Sequence, residues 1–584
     1  MMLMHDQIRL ELTTWLLPSL KELGAQVEER QIYNGFASTP DSKMGHLAFA
    51  LFPFAKELKL NPAALAKSLS DKLQSSQAKP AFVEKAQNVG PYLNFTYSPG
   101  HLAQLIIPQV MDQSFFKRKI SQDMPRTMIE YSQPNTHKEM HVGHMRNLCL
   151  GDALIRLHRY CNFDIVASTF PGDVGTHVAK CLWYFKNHNT ETPPKERKGA
   201  WLGRLYTLAH NKLEDEKGTP QEDVNRKELT EILAQLEKKA GPFFDLWLET
   251  RQWSIDLMKE VYAWAGVEFD VWFWESEVDS DSVKLAREWQ KKGLFIEDQG
   301  AVGADLKDYG LGFCLLIKSD GNGLYATKDV ELARRKFQEK GIEKSLYIVD
   351  LRQSHHFKQV FKILELMGFK HAKDCFHLAY DFVELPDGAM SSRKGNIVAL
   401  QALIDNMVEK IKTDYLNRYQ GEWSTDEIES TAQDVARGAI KYGMTRIDPL
   451  KKIVFDMTEW LKLDGESGPY LQYTYARIQS MKRKIQMSVQ ADYLTLTTPQ
   501  EMELIRLLPQ FNTVVAQACE QYRPNVLTSF LFDVARAFNS FYSECPVASA
   551  PSGQKEARLE LALSAAQVIK EGLALLGIPV PQKM

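Results

Sequence analysis

The chain has 584 residues, more than one core can fill at ~150 residues per domain, so several units are expected. Hydrophobic residues at 44% and charged residues at 25% exclude wholesale disorder, collagen and a coiled coil. With 71 Lys and Arg against 74 Asp and Glu, the net charge is −3, so a polyanionic partner has to be met by a local basic surface. Charges interrupt the apolar residues of the first segment, MMLMHDQIRLELTTWLL, and no uncharged apolar run reaches ~18 residues, so neither a signal peptide nor a membrane span is expected. The cysteines at 149, 161, 181, 314, 375, 519 and 545 include no C-x-x-C pair and no zinc spacing, which fits a reducing cytoplasm and no bound zinc.

Residues 1–115 mix amphipathic helical patterns with a strand-like stretch, YLNFTYS at 92–98, and lead into the charged linker FKRKISQDMPRT. From 126 the pattern alternates: TMIEYSQ is strand-like, HVGHM to HRY helical, and IVASTF strand-like again, which predicts a parallel sheet with helices on its faces. Residues 187–240 are polar and rich in Lys, Glu and Pro, and open a helical insertion taken to end about 300. The sheet pattern continues in FDVWFW at 269–274, FCLLIK at 313–318, SLYIVD at 345–350 and CFHLAYDFVEL at 375–385, giving one α/β unit over 120–405. Connecting helices are expected over 406–450 and an all-helical unit over 451–584, where GPYLQYTYARIQSMKRK and ARLELALSAAQVIKEGLALLG have helical spacing.

The densest constellation is EYSQPNTHKEMHVGHMRNLCLGDALIR at 130–156, read as a strand ending near Gln133, a turn at Pro134–Asn135 and a helix starting in His-Val-Gly-His. The carboxyl end of a strand followed by a helix N-terminus presents unpaired N–H groups to anionic ligands. His141 and His144, at i and i+3, share one face of the first turn, and Gly143 removes a side chain where a base or ribose can lie. Alone, such a pair is more commonly a cap plus a packed ring. A metal site is weaker still, since no third ligand is suitably spaced and Lys138 adds positive charge. The second constellation, LPDGAMSSRKGNIVAL at 385–400, is an apolar strand running into a Gly-bounded loop with two hydroxyls and two cations. Such a loop suits a triphosphate, although by itself it reads as a solvated surface loop.

In this order and at this separation, the two elements resemble the His-Ile-Gly-His and Lys-Met-Ser-Lys-Ser signatures of class I aminoacyl-tRNA synthetases. Within that class the words SQPNTHKEMHVGHMRN, GDALIR, PGDVGTH, IVDLRQSHHFKQV, SGPYLQYTYARIQS and LALLGIPVPQKM are similar to those of arginyl-tRNA synthetases. The resemblance is specific from 126 to 584 and weaker in residues 1–115, which resemble that family's extra N-terminal domain. It implies a multidomain α/β fold: a class I Rossmann-like nucleotide-binding catalytic domain with a helical insertion, an α+β N-terminal tRNA-binding domain and an all-α C-terminal anticodon-binding domain. It further implies ATP-dependent activation of L-arginine to an adenylate with Mg2+ and transfer to the terminal ribose of tRNA, releasing AMP and pyrophosphate. A cytoplasmic monomer without membrane attachment is expected.

The resemblance carries roles residue by residue. His141, Gly143 and His144 match the ATP-holding positions, joined by Met390, Ser391 and Ser392 of the loop. The loop lacks the usual second lysine, a departure many arginine enzymes share, and Lys138 stands where those enzymes supply the missing charge, with Arg393 and Lys394 as further cations. Tyr325 and Asp329 in GLYATKD, Gln353 in DLRQSHHF, and Glu130 and Asn135 match the arginine site, as a guanidinium with five donors demands. Tyr470, Tyr473, Tyr542 and Met584 match the anticodon-loop site, and Asn94 a D-loop contact, although pattern alone would make the first two tyrosines helix core. Removing residues 1–115 is expected to weaken tRNA binding and leave the small-ligand pockets standing. PGDVGTH carries Val174 and His177 where many members carry Trp and Gln, and neither receives a role. The alternatives are a class I synthetase for another amino acid, such as the cysteine or glutamate type, and a catalytically silent tRNA-binding relative.

Overall fold

The structure is a computed structural model that describes residues 6–37, 39–74, 76, 78–117, 124–386 and 399–584. The N-terminal unit is an antiparallel sheet of β1 (Phe36–Ala37), β2 (Leu47–Ala50), β3 (Val83–Val89) and β4 (Tyr92–Tyr97) in the order β1-β2-β4-β3. Gly90 at φ +55° and Pro91 close the β3–β4 hairpin, a two-residue turn whose first position favours glycine. The Pro62–Gln74 helix packs on these two strands.

The catalytic unit is built on β5 (Thr127–Glu130), β6 (Ile165–Thr169) and β7 (Val271–Trp272). After an excursion through β8 (Ile296–Asp298), β9 (Ala301–Asp305) and β10 (Phe313–Ile317), the chain adds β11 (Lys344–Asp350) and β12 (Cys375–Tyr380). The five-stranded sheet runs β12-β11-β5-β6-β7, every pair parallel, and β5 and β6 are buried at every residue, as a sheet covered on both faces requires. From β5 the chain steps one way to β6 and β7, then to the other side for β11 and β12. The carboxyl end of β5 is therefore the topological switch point, where open α/β sheets bind ligands.

Two expectations need correction. FCLLIK forms a strand, β10, but pairs antiparallel with β9 in a separate sheet of order β10-β9-β8. The cause is local: β9 turns straight back into β10 through residues 306–312, where Gly310 and Gly312 have positive φ, 70° and 69°, and Leu306 N–H donates to the Gly312 carbonyl at 2.8 Å. The excursion expected over 187–300 is also interrupted, because β7 rejoins the main sheet at Val271. Between β6 and β7 lie the helices Thr176–Asn187, Lys198–Asp215, Gln221–Lys238 and Pro242–Ala265.

Beyond residue 399 the chain is helical, the main elements being Leu400–Ile411, Thr425–Thr445, Gly468–Lys484, Pro499–Leu507, Phe511–Glu520, Pro524–Glu544 and Gln554–Leu575. One short parallel pair, β13 (Val383–Glu384) with β14 (Ile453–Val454), stitches this region to the catalytic unit. The units share one core: a single apolar cluster runs from Leu12 and Phe95 through Leu148 and Leu154 of the Val142–Tyr160 helix to Leu531 and Leu573. Polar ties reinforce it. Arg146, 1% exposed, donates to the carbonyls of Met444, Asp448, Pro449 and Lys451, each at 3.1 Å. Lys441 Nζ lies 2.7 Å from Asp152, which also holds Arg156. The Thr425–Thr445 and Gly468–Lys484 helices cross backbone on backbone, since a Cβ on Gly468 would sit 2.2 Å from the Gly438 carbonyl oxygen. Among the described residues no helix is long and apolar enough to cross a membrane.

Candidate active site

The segment from β5 to the Val142–Tyr160 helix is held in a strained path. Ser132 and His137 have positive φ, 55° and 59°, which costs ~1–3 kcal/mol each and persists only when surroundings enforce it. Ser132 N–H donates to Asn147 Oδ1 at 2.5 Å, and its hydroxyl meets Tyr262 OH at 2.9 Å. His137 is fully buried, its N–H donating to Ser254 Oγ at 2.9 Å and its ring nitrogens meeting Thr136 and Thr250 hydroxyls at 2.9 Å.

At the helix start His141 and His144 cap reciprocally. Gly143 N–H donates to His141 Nδ1 and His141 N–H to His144 Nδ1, both at 3.1 Å, with the rings 3.9 Å apart. The cap expected of such a pair on sequence grounds is therefore present. Gly143 permits it, because a Cβ there would approach the His141 ring to 2.9 Å. Burial, then the charge of Lys138, lowers the His141 pKa to about 4; burial, then His141 and Lys138, holds that of His144 well below the ordinary value. Both rings are thus neutral, and since each Nδ1 accepts, each Nε2 carries the proton as a donor. Capping and ligand donation use opposite edges of the same imidazoles.

A cavity of about 830 Å³ opens beside this turn, between the helical excursion and the Glu275–Lys291 and Tyr325–Lys340 helices. It brings together Asn135, Lys138 and Tyr325, with Glu275 and Lys328 at its wall. Lys138 Nζ lies over the Tyr206 ring at 4.7 Å, and burial followed by Lys180 lowers its pKa. Lys328 is paired with Glu275 at 2.6 Å and Asp279 at 3.0 Å. Gly172 admits two of these groups, since a Cβ there would lie 2.4 Å from Asn135 Oδ1 and 3.1 Å from Glu275 Oε2. Neighbouring Asp173 is fully buried and holds Arg251 at 2.7 Å, while Val174 and His177 line the cavity.

The other arginine-site residues lie apart from the cavity lining. Asp329, one turn beyond Tyr325, accepts from His356 Nε2 at 2.5 Å, and Gln353 is exposed at the start of the Ser354–Leu366 helix. Glu130 is buried and lies 2.6 Å from Lys336 Nζ, which sits 3.7 Å above the Tyr347 ring. Sequence reasoning passed over Lys336 and His356; the signal for His356 was its i+3 spacing from Gln353. Met390, Ser391, Ser392, Arg393 and Lys394 lie outside the described residues.

In the C-terminal region Tyr470, Tyr473 and Tyr542 converge. Arg477 stands 5.2 Å from the centres of both the Tyr473 and Tyr542 rings, and Asn539 Nδ2 donates to Tyr470 OH at 2.7 Å. Met584 is held separately, its carbonyl accepting from Tyr419 OH at 3.2 Å. Asn94 differs from the expectation of a contact residue: it is 4% exposed in β4, its amide donating to the Met44 carbonyl at 2.8 Å, because the Met44–Gly45 segment covers the face of the strand opposite Leu93 and Phe95. Among the described residues no group of three or more His, Cys, Asp or Glu could hold a metal ion.

Comparison with known proteins agrees with this layout. Residues 106–457 match the family model for the catalytic domain of class I tRNA synthetases (R), 471–584 the DALR anticodon binding domain, and 11–97 the arginyl tRNA synthetase N terminal domain. An arginine–tRNA ligase of Bdellovibrio bacteriovorus is 52% identical over 588 residues, covering 100% of both chains. One of Clostridium botulinum is 34% identical over 93% of this chain and 95% of its own. The solved arginyl-tRNA synthetase of Thermus thermophilus superposes with a TM-score of 0.80 at 27% identity, covering 99% of this chain and 100% of that one. With a catalytic-domain model matched over more than half its length and a 52% identical relative matched from end to end, the chain belongs to the arginyl-tRNA synthetases of class I.

Proposed function

We propose the following division of labour for the reaction this family member catalyses, the ATP-dependent ligation of arginine to tRNA. An arginine carboxylate oxygen attacks the α-phosphorus of ATP and pyrophosphate leaves; the hydroxyl of the terminal ribose then attacks the arginyl carbonyl and AMP leaves. Both steps need positioning and neutralisation of charge more than covalent help. His141 and His144 donate from Nε2 to the phosphates, Gly143 leaves room for the adenosine, and Lys138 with Arg393 and Lys394 neutralises the triphosphate. Met390, Ser391 and Ser392 complete the ATP site, and Mg2+ enters with the nucleotide, held chiefly by its phosphates. Asp329 and Tyr325 take the guanidinium and its stem, Gln353 adds a polar contact, and Glu130 and Asn135 hold the rest of the amino acid. Tyr470, Tyr473, Tyr542 and Met584 shape the anticodon-loop site, supported by the Arg477 cation between two of the rings.

The observation that carries this reading is the reciprocal cap of His141 and His144, which fixes two neutral imidazoles as paired donors at the switch point of the sheet. We further infer a monomer acting in the cytoplasm, with units over 1–115, 120–405, 406–450 and 451–584. The seven cysteines, all free and buried, suit a reducing compartment. The test is ATP–pyrophosphate exchange with arginine, lysine or cysteine, with and without tRNA. Exchange with arginine alone among the amino acids, and only when tRNA is present, is the expected result. Exchange without tRNA would remove the tRNA requirement, and no exchange under either condition would overturn the catalytic assignment.

A further inference from the structure

The Asp329 carboxylate is held by a single protein donor among the described residues. His356 Nε2 lies 2.5 Å from Asp329 Oδ2, with side chains 22% and 19% exposed, and Oδ1 takes no protein hydrogen bond. A carboxylate can only accept, so Nε2 carries the proton and Nδ1 is the basic nitrogen of the neutral ring. We propose that His356 is a positioning residue for the cationic head of arginine: as a neutral imidazole it fixes the Asp329 carboxylate through Oδ2 and leaves Oδ1 with its full charge for the guanidinium. The proposal rests on the reading that Asp329 binds the guanidinium.

The choice of donor matters. A Lys or Arg at this place would also orient the carboxylate, but would neutralise it and compete with the substrate cation. A neutral Nε2–H orients without neutralising. If Nδ1 gains a proton, His356 becomes such a competitor, and arginine then binds to a site already carrying a cation. Arginine and this proton therefore exclude one another, and by linkage arginine binding expels the proton.

The surroundings leave Asp329 as the group that governs this titration. His377 on β12 donates Nε2–H to the Val349 carbonyl at 2.9 Å and, with its pKa lowered by burial, stays neutral. Asp350 on β11 is paired with Arg352 at 2.8 Å, and Glu130 on β5 with Lys336 at 2.6 Å. Burial works against the charged form of His356, yet Asp329 outweighs it and the imidazole titrates above its ordinary value. The competing proton is thus present on the acid side of that raised value, above ~6.5.

The test measures arginine KM and kcat in pyrophosphate exchange with the full chain and tRNA across pH 6 to 8.5. Calorimetric arginine titration in buffers of different ionisation heat accompanies it. For the unmodified chain KM should rise ~tenfold per pH unit below the His356 pKa with kcat steady, and arginine binding should release a proton. His356→Gln, which keeps a neutral donor, should give a flat KM profile and no proton release, whereas His356→Ala should raise KM at every pH. Titration of arginine and ATP themselves is common to all three proteins. Asp329→Asn separates the two levels: an unchanged KM there would remove the guanidinium reading itself. If that variant raises KM at least tenfold while His356→Gln retains the original pH slope or His356→Ala the original KM, the role of His356 alone is overturned.

Discussion

His137 and His158, 0% and 3% exposed, are kept neutral by burial, which lowers their pKa values to about 3 and about 4. An unfolded chain protonates both below ~6.5, so it binds more protons than the folded one and stability falls as pH drops. Each group should cost ~1.4 kcal/mol per pH unit from ~6.5 down to its folded value, opposite in sign to the raised pKa of His356. Urea midpoints at pH 7.5, 6.5 and 5.5 should show this slope, and His158→Gln should shrink it by one group's share; identical slopes would refute the account. At this scale the sequence was informative where spacing sets direction. The i, i+3 pair of His141 and His144 announced a shared face. Asn94 could not be placed, because it lies on the face of β4 opposite the core residues Leu93 and Phe95 and is buried there by the distant Met44–Gly45 segment, which no local pattern in GPYLNF states.

The Val142–Tyr160 helix is legible as an element, since His-Val-Gly-His starts it and the apolar spacing continues to Tyr160. FCLLIK was legible as a strand and not as a member of a particular sheet. Its apolar run suits either a parallel or an antiparallel neighbour, and what decides the matter is the tight return at Gly310 and Gly312, outside the run itself. What the helix is fastened to was also hidden, because Arg146 bonds to backbone carbonyls, which have no sequence signature. Arg146→Met should take from the Met444 and Lys451 carbonyls their side-chain donor, while the Asp448 and Pro449 carbonyls keep the N–H groups of Lys451 and Asp381. The expected loss is about 3 kcal/mol in urea unfolding, together with a lower exchange rate, as the helix bearing His141 loses its anchor. A change within about 0.5 kcal/mol would mean that water or a neighbour replaces the guanidinium.

Across the whole molecule the multidomain reading needs one refinement: the units share a continuous core. The Pro99–Met111 helix buries Leu102, Ile106, Ile107 and Val110 and packs on the Gln554–Leu575 helix, with Gly100 against Tyr493 and Leu494. Deletion through residue 97 should therefore raise the tRNA KM with a modest loss of stability. Deletion through 115 removes four buried side chains worth ~1.5 kcal/mol or more each, comparable to the whole stability of a typical domain. That truncation should not fold cooperatively, which corrects the expectation that removing residues 1–115 leaves the small-ligand pockets standing; equal thermal midpoints for the two would contradict the shared core. Composition shifts located the units but could not reveal this fusion, because an apolar residue does not say whether its neighbour lies in its own unit or the next.

At the crossing of Gly438 and Gly468 the two backbones touch with no side chain between them. The Thr425–Thr445 helix is tied to the catalytic helix through Lys441 and meets the tyrosine-bearing helix at the Gly438–Gly468 backbone contact, with Gln472 donating to the Asp434 carbonyl beside it, so it acts as a spacer of fixed length. Inserting one residue between 438 and 441 would lengthen that spacer by about 1.5 Å and rotate one end against the other by about 100°. This short stretch of helix therefore sets the spacing and the relative rotation of the catalytic helix and the tyrosine-bearing helix, and residues gained or lost there in anything but whole turns would put the two out of phase.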